Sequence, residues 1–273
     1  MSGSAGKRMR SWIVASTAVF TAFVAAATSV FSVTIPATNG YFNVGEIMVY
    51  TSALLMGPYV GAFAGGVGSM ISDLSLGYPY YAPGTLVIKG LEGFLVGYLG
   101  TRVFPTVSRL SWRAITTAAG LAFSSALAYV GIEFLSGDLS LTLGGAWSVP
   151  AFTITLSVPV YLWPAVATVA LVAILVLGYR HQIRSGQSII SVLVGGSEMV
   201  AGYYLYESFI LTLIAPSTYT ATLAPLSEVP FNIAQALVGL LVAVPLVRSI
   251  KRITRGREFH MQGEERVKDS VNL

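Results

Sequence analysis

The stretch APGTLVIKGLEGFLVGYLG, residues 82–100, decides how this chain is read. It is apolar apart from Lys89 and Glu92, which stand three residues apart. An apolar run of this length crosses a membrane as a helix. A charge at membrane depth costs roughly 2.5–3.5 kcal/mol on insertion scales, so it faces a partner or a polar cavity. The outer half of this helix is therefore the first place to expect a ligand.

The composition agrees. The chain has 273 residues, of which 54% are hydrophobic and 10% charged, with a mean hydropathy of +0.72. A soluble domain carries about 25% charged residues. The reading is an all-α integral membrane protein of the cell membrane. It forms one transmembrane domain over 1–256, with a cytoplasmic tail at 257–273. The net charge of +4 does not point to nucleic acid, because the basic residues sit in short loops and the tail, as the positive-inside rule expects. Cysteine is absent, and histidine is limited to His181 and His260. That excludes disulfides, thiol chemistry and a histidine-rich metal site. The basic start (Lys7, Arg8, Arg10) and the long apolar run after it read as a retained helix rather than a cleaved leader.

Hydrophobic runs predict about eight helices, at 11–33, 45–56, 59–75, 82–104, 113–135, 156–179, 188–214 and 228–250. Ser227 is expected as the N-cap of the last, with Pro230 in its first turn. With both termini cytoplasmic, 15 of the 16 Lys and Arg fall on the inner side, and Lys89 is the exception. The second helix is too short to cross alone, so helices 2 and 3 form either full crossings or a re-entrant pair.

Depth along these helices brings polar groups together. At ~1.5 Å per residue, Lys89 lies about 10 Å below the outer end of its helix. Glu207 and Tyr203 lie at similar depth on helix 7, and Asn232 and Gln235 on helix 8. Glu46 and Tyr50 form an i, i+4 pair on helix 2, with Asn43 beside them. Two readings stay open: the groups satisfy one another, as Lys89 with Glu92 or Glu207 and Asn232 with Gln235, or they line a pocket. Tyr78, Tyr80 and Tyr81 suit either a pocket rim or an interfacial belt. Glu198 lies nearer the cytoplasmic end and is expected to be structural. Ala18, Ala22 and Ala26 make a small-residue face on helix 1, and Gly61, Gly65 and Gly68 one on helix 3 that is read as internal packing. No phosphate-binding loop, nucleophile elbow or zinc-protease motif is present. The chain is read as a non-enzyme without a cofactor.

The blocks IPATNGYFNVGEIMVY (35–50), GYPYYAPGTLVIKGLEG (77–93), GYYLYESFIL (202–211) and EVPFNIAQALVGLLVAVPL (228–246) resemble the substrate-binding S components of energy-coupling factor (ECF) transporters. The closest likeness is to the riboflavin, hydroxymethylpyrimidine and pyridoxine branch. The resemblance implies a six-helix core (11–104 and 188–250) with an inserted helix pair (113–179). It implies capture of a vitamin or precursor on the outer side, for ATP-driven uptake by a T component and two cytoplasmic ATPases. The helix 1 face Ala18, Ala22 and Ala26 would dock on the T component. The implied pocket draws on Asn43, Glu46, Tyr50, Tyr81, Lys89, Glu92, Tyr203, Glu207, Asn232 and Gln235, with Tyr and Trp stacking on the ligand ring. The alternative from another class is a solitary proton-coupled transporter working through Glu92, Glu198 or Glu207.

Overall fold

A computed structural model describes residues 2–30, 32–35, 40–101, 108–134, 136–143, 152–180, 186–214 and 224–271. In chain order these are α1 (Ser2–Val30), β1 (Ser32–Ile35), β2 (Gly40–Asn43), α2 (Glu46–Met56), α3 (Pro58–Leu76), α4 (Ala82–Gly100) and α5 (Arg109–Phe134). Then come β3 (Gly137–Leu143), β4 (Phe152–Val158), α6 (Leu162–Arg180) and α7 (Gly186–Leu205). A π-helical turn (Tyr206–Leu211) and α8 (Thr212–Ile214) continue α7, and α9 (Ala224–Val271) ends the chain. Among the described residues, four helices are long and apolar enough to cross a membrane: Arg10–Val30, Arg109–Glu133, Gln187–Ile214 and Glu228–Thr254.

The α2–α3 junction shows how helix 2 meets helix 3. Gly57 takes φ 88°, a conformation that side chains disfavour, and Pro58 opens α3, where its missing N–H costs nothing. The two helices fold back on each other around this glycine. A Cβ placed on Gly61 would lie 2.7 Å from the Ala53 backbone, and one on Gly65 would lie 3.1 Å from Val49. Both pairs are symmetric about residue 57. On its other side α3 runs antiparallel to α4, since a Cβ on Gly65 would also lie 2.7 Å from the Lys89 carbonyl oxygen. The small residues thus let three backbones approach closely. Helix α2 starts beside Lys89 and ends near the inner end of α4. Its 11 residues cover about 16 Å, roughly half a membrane. Gly68 meets α1 at Thr21 and Val24, so the glycine face of helix 3 is internal packing.

The apolar core gathers Val24, Val49, Tyr50, Ala53, Val96, Val192, Ala243 and Val247, from α1, α2, α4, α7 and α9. The predicted insertion is a helical pair, α5 and α6, which pack on one another, while α5 touches α9.

Three local expectations are corrected. Residues 156–158 belong to β4, which pairs antiparallel with β3 from Gly137↔Val158 to Leu143↔Phe152. Alternation in DLSLTL and FTITLSV favours strands over an early start to helix 6. Likewise β1 and β2 form a hairpin, so helix 1 stops at Val30. Helix α9 starts at Ala224, which puts Ser227 inside it and Pro230 beyond its first turn. Pro225 takes the early position that tolerates a missing N–H. Helix α9 also continues past 250 to Val271. The expected end of helix 4 at 104, together with Arg102, His181 and Arg184, lies outside the described residues.

Candidate functional site

The deepest layer is an ion cluster. Lys89 on α4 pairs with Glu46 at the start of α2 and with Glu92 Oε2 one helical turn away, at 3.1 Å. Tyr50 donates its hydroxyl to the other Glu92 oxygen at 2.7 Å. Lys89, Glu46, Tyr50 and Glu92 are all buried. Burying charges is tolerable only where they are paired and hydrogen-bonded. The i, i+4 spacing on α2 and the i, i+3 spacing on α4 place both pairs on facing sides of the same contact. Of the two partners expected for Lys89, Glu92 is found, whereas Glu46 stands where Glu207 was the alternative.

Above this cluster lies a polar cavity of about 40 Å³. Lys89 forms its floor, and Asn43, Tyr81, Tyr203, Glu207, Asn232 and Gln235 line it. Glu46, Tyr50 and Glu92 do not reach it. They sit behind Lys89 and hold its ammonium in place. The lining also includes Tyr41, Asp73, Tyr78, Thr85 and Glu228. Tyr41, Asp73 and Tyr78 fall in or beside the outer loops, and Glu228 opens the last apolar run. Weighting side chains by depth within a helix passes over residues at element ends.

The walls are built from hydroxyls, carboxyls and rings. Tyr41 donates to Asp73 Oδ1 at 2.5 Å. Tyr41 lies on β2, outside the spans, and burial followed by the neighbouring Asp73 carboxyl pushes its hydroxyl well above the usual tyrosine range. It therefore stays a donor. Thr85 and Tyr203 share a hydrogen bond at 3.0 Å, and the Lys89 ammonium sits 5.5 Å from the Tyr203 ring centre. The rings of Tyr41 and Tyr78 are 5.0 Å apart, and Tyr78 meets Tyr81 edge-on at 6.4 Å. Gln235 donates to Asn232 Oδ1 at 3.3 Å, so that pair satisfies itself while still facing the cavity. Asn43 Oδ1 accepts the Gly45 N–H at 2.8 Å, which shapes the entry into α2.

Glu207 reaches the cavity from the π-helical turn. Such turns shift side-chain register by one residue and occur often at functional sites. Glu207 lies beside Tyr81 and Glu228. The turn is pinned to α4 by Tyr206, which donates to the Tyr80 carbonyl at 2.7 Å. Its ring covers Gly84 so closely that a Cβ there would lie 2.6 Å away. Tyr80 is exposed at the rim, so of the three outer-loop tyrosines Tyr78 and Tyr81 belong to the cavity.

Among the described residues, no tryptophan lines the cavity. Trp12 is exposed on α1, and Trp163 packs in the inserted pair against Gly131. Trp147 lies outside the described residues. Tyrosine supplies every ring that lines the cavity. Glu198 on α7 is partly buried and outside the cavity lining, near enough to Lys89 and Glu46 to feel their charge, with one carboxyl oxygen lacking a hydrogen-bond partner. Ala18, Ala22 and Ala26 are exposed along one side of α1, with Val24 buried on the other.

Comparison with known proteins follows from this geometry. The chain is 58% identical over 59 residues to a protein from Pyrococcus woesei described as an uncharacterized protein in the gap 3' region. The matched part is 22% of this chain and 39% of that relative's length. No solved structure matches. The family model described as ECF-type riboflavin transporter, S component, matches residues 10–181 and 158–252, which together span the helical body and the cavity. The chain belongs to the family of ECF-type riboflavin transporter S components.

Proposed function

We propose that this protein captures a small heteroaromatic molecule, a vitamin or vitamin precursor, on the outer side of the membrane. It then passes the molecule to an ECF T component and two cytoplasmic ATPases for uptake. Membership of the family makes the chain an integral protein of the cell membrane and a transport subunit rather than an enzyme. The observation that carries the capture reading is convergence. Polar side chains from β2, α3, α4, α7 and α9 meet at one depth beneath the outer loops, around tyrosine rings. Sites for small ligands combine apolar and aromatic walls with a few placed polar anchors in this way.

The cavity as it stands is small. About 40 Å³ compares with roughly 30 Å³ for one water in the liquid and with about 300 Å³ or more for a typical ligand pocket. Loading requires the rim tyrosines and the acids of α7 and α9 to move apart, so the closed arrangement is one of two that the protein must visit. The family description names riboflavin, which makes riboflavin one candidate ligand. The exposed Ala18, Ala22 and Ala26 side of α1 supports docking of a partner helix, since small residues permit close approach.

The test is to purify the protein, denature it and identify released small molecules by mass spectrometry. A stoichiometric heteroaromatic compound supports capture. Uptake in cells lacking the ATPases, abolished by a protonophore, would instead support the solitary proton-coupled transporter.

A further inference from the structure

We infer that a second, apolar cavity between α5, α7 and α9 seats the tail of an anionic phospholipid whose phosphate is held by Arg248. This site is separate from the polar cavity above Lys89 and does not rest on the capture reading.

The apolar cavity measures about 540 Å³, and its walls include Ala119 and Ala122 of α5, Ala201 of α7, and Ile233, Leu237 and Leu240 of α9. Ala122 and Ala201 are exposed, as is Ser197 beside them, so the cavity is open along one side of the bundle. In a membrane protein that side meets hydrocarbon. On α9 the lining runs from Val229 to Leu240, a rise of about 16 Å. A helix 10 Å across would need roughly 1,250 Å³ over that length. A partner helix would therefore rest on the cavity rather than fill it, whereas a lipid tail is narrow enough to enter.

Charge selects the headgroup. Arg248 follows Leu237 by three helical turns and so shares its face of α9. It lies about 12 Å beyond Leu240 along the helix axis. Its neighbour Val247 packs in the same cluster as Leu54 and Ile189, and Gln187 donates to the Gly100 carbonyl at 2.7 Å. Arg248 thus stands at the end of the bundle where α4 finishes and α7 begins. It is half-buried, and its Nε and Nη2 are buried without a hydrogen-bond partner among the described residues. A guanidinium presents its N–H donors in a planar fork that matches a phosphate, and leaving buried donors of a charged group unmet is costly. The rest of α9 offers no acid nearby: the first after Glu228 is Glu258, about 15 Å past Arg248. Lys251 and Arg252, exposed on the next turn, add positive charge. Basic pockets between membrane helices hold anionic headgroups in this way.

Reach joins the two halves. The hydrocarbon of one leaflet is about 15 Å deep, half the thickness of the bilayer core. A phosphate at Arg248 therefore delivers the end of its tail past Leu240 into the cavity. A tail there completes the contact between the inserted helix pair and the core.

The test uses the full-length protein, stripped of lipid by detergent exchange, and two probes with identical chains. Palmitoyl-oleoyl phosphatidylglycerol is anionic, and palmitoyl-oleoyl phosphatidylcholine is zwitterionic. Binding is read by native mass spectrometry and by thermal shift. The expected result is that phosphatidylglycerol binds tenfold or more tightly than phosphatidylcholine. Arg248→Gln should bring the two lipids within twofold of each other, while Arg248→Lys, which keeps the charge and loses the fork, should retain part of the preference. Leucine at both Ala122 and Ala201 should weaken both lipids at least tenfold. Equal binding of the two lipids by the unaltered protein overturns the inference, and that comparison stands even if a variant fails to fold. A preference that survives Arg248→Gln removes the phosphate from Arg248, and lipid affinity unchanged by the two leucines removes the tail from the cavity. Glycerol phosphate stabilising the protein as much as phosphatidylglycerol would leave a bare anion site and overturn the lipid assignment.

Discussion

Between α5, α7 and α9 lies a cavity of about 540 Å³ walled by Ala119, Val192, Val200, Ile233 and Leu237. The cavity above Lys89 measures about 40 Å³ and is walled by carboxyls, amides and phenols. The larger space is walled mainly by apolar side chains, with Ser197 and Tyr204 its polar lining residues, and lies where α5 meets the core. In a bilayer such a gap is filled by apolar matter at little cost, because lipid tails resemble the wall. The smaller space concentrates groups that are expensive to bury and are kept only where they are paired or used. Volume alone points to the larger cavity, whereas buried polar chemistry, which has to be accounted for group by group, supports the proposed site above Lys89.

That contrast can be broken most severely at its floor. Lys89→Met leaves Glu46 and Glu92 facing each other without a cation. Removing one partner of a buried ion pair costs about 3–5 kcal/mol, so the variant should unfold at a much lower temperature in detergent. Adding Glu46→Gln should recover part of the loss. A Lys89→Met protein of unchanged thermal stability would show that the cluster is not holding α2 to α4.

Next in size is the packing beneath it. Gly65→Leu drives a side chain into the Lys89 carbonyl and Val49, and overpacking of this kind costs typically 1–3 kcal/mol or more. Thermal unfolding should fall accordingly, whereas leucine at exposed Ala22 on α1 should leave stability unchanged and reduce only ATP-driven uptake.

The two cavities are then separated by ligand affinity. Glu207→Gln should weaken the bound ligand at least tenfold, which is about 1.4 kcal/mol. Calorimetry in detergent reads this directly, and affinity within twofold of wild type would move the site elsewhere. The smallest effect is expected from filling the apolar space. Ala119→Leu should leave ligand affinity within twofold, since the wall it fills is mainly apolar. A tenfold loss would mean that the inserted pair belongs to the site after all.

Some of this was legible from residues alone. Hydropathy set the membrane class, because it depends on solvent and not on packing, and the basic loops gave the expected orientation. The i, i+4 and i, i+3 spacings put Glu46 with Tyr50 and Lys89 with Glu92 on shared faces. Equal depth on separate helices brought Lys89, Tyr203, Glu207, Asn232 and Gln235 toward one another. The glycines of helix 3 carried their own explanation, as small residues where backbones touch.

The rest depended on how the helices meet. That Lys89 chooses Glu46 over Glu207 follows from the turn at Gly57, which folds α2 against α3 and brings the start of α2 level with Lys89. The π-helical turn that swings Glu207 toward Glu228 changes side-chain register by one residue, and no period in GYYLYESFIL announces it. Asp73 and Tyr41 meet only because β1 and β2 form a hairpin over the end of α3. The physical reason is the same in each case. Membrane class and face periodicity are properties of a segment in its solvent, and sequence specifies them directly. Which charge pairs with which, and which space stays polar, are properties of contacts between segments distant in the chain, and only the tertiary structure decides them.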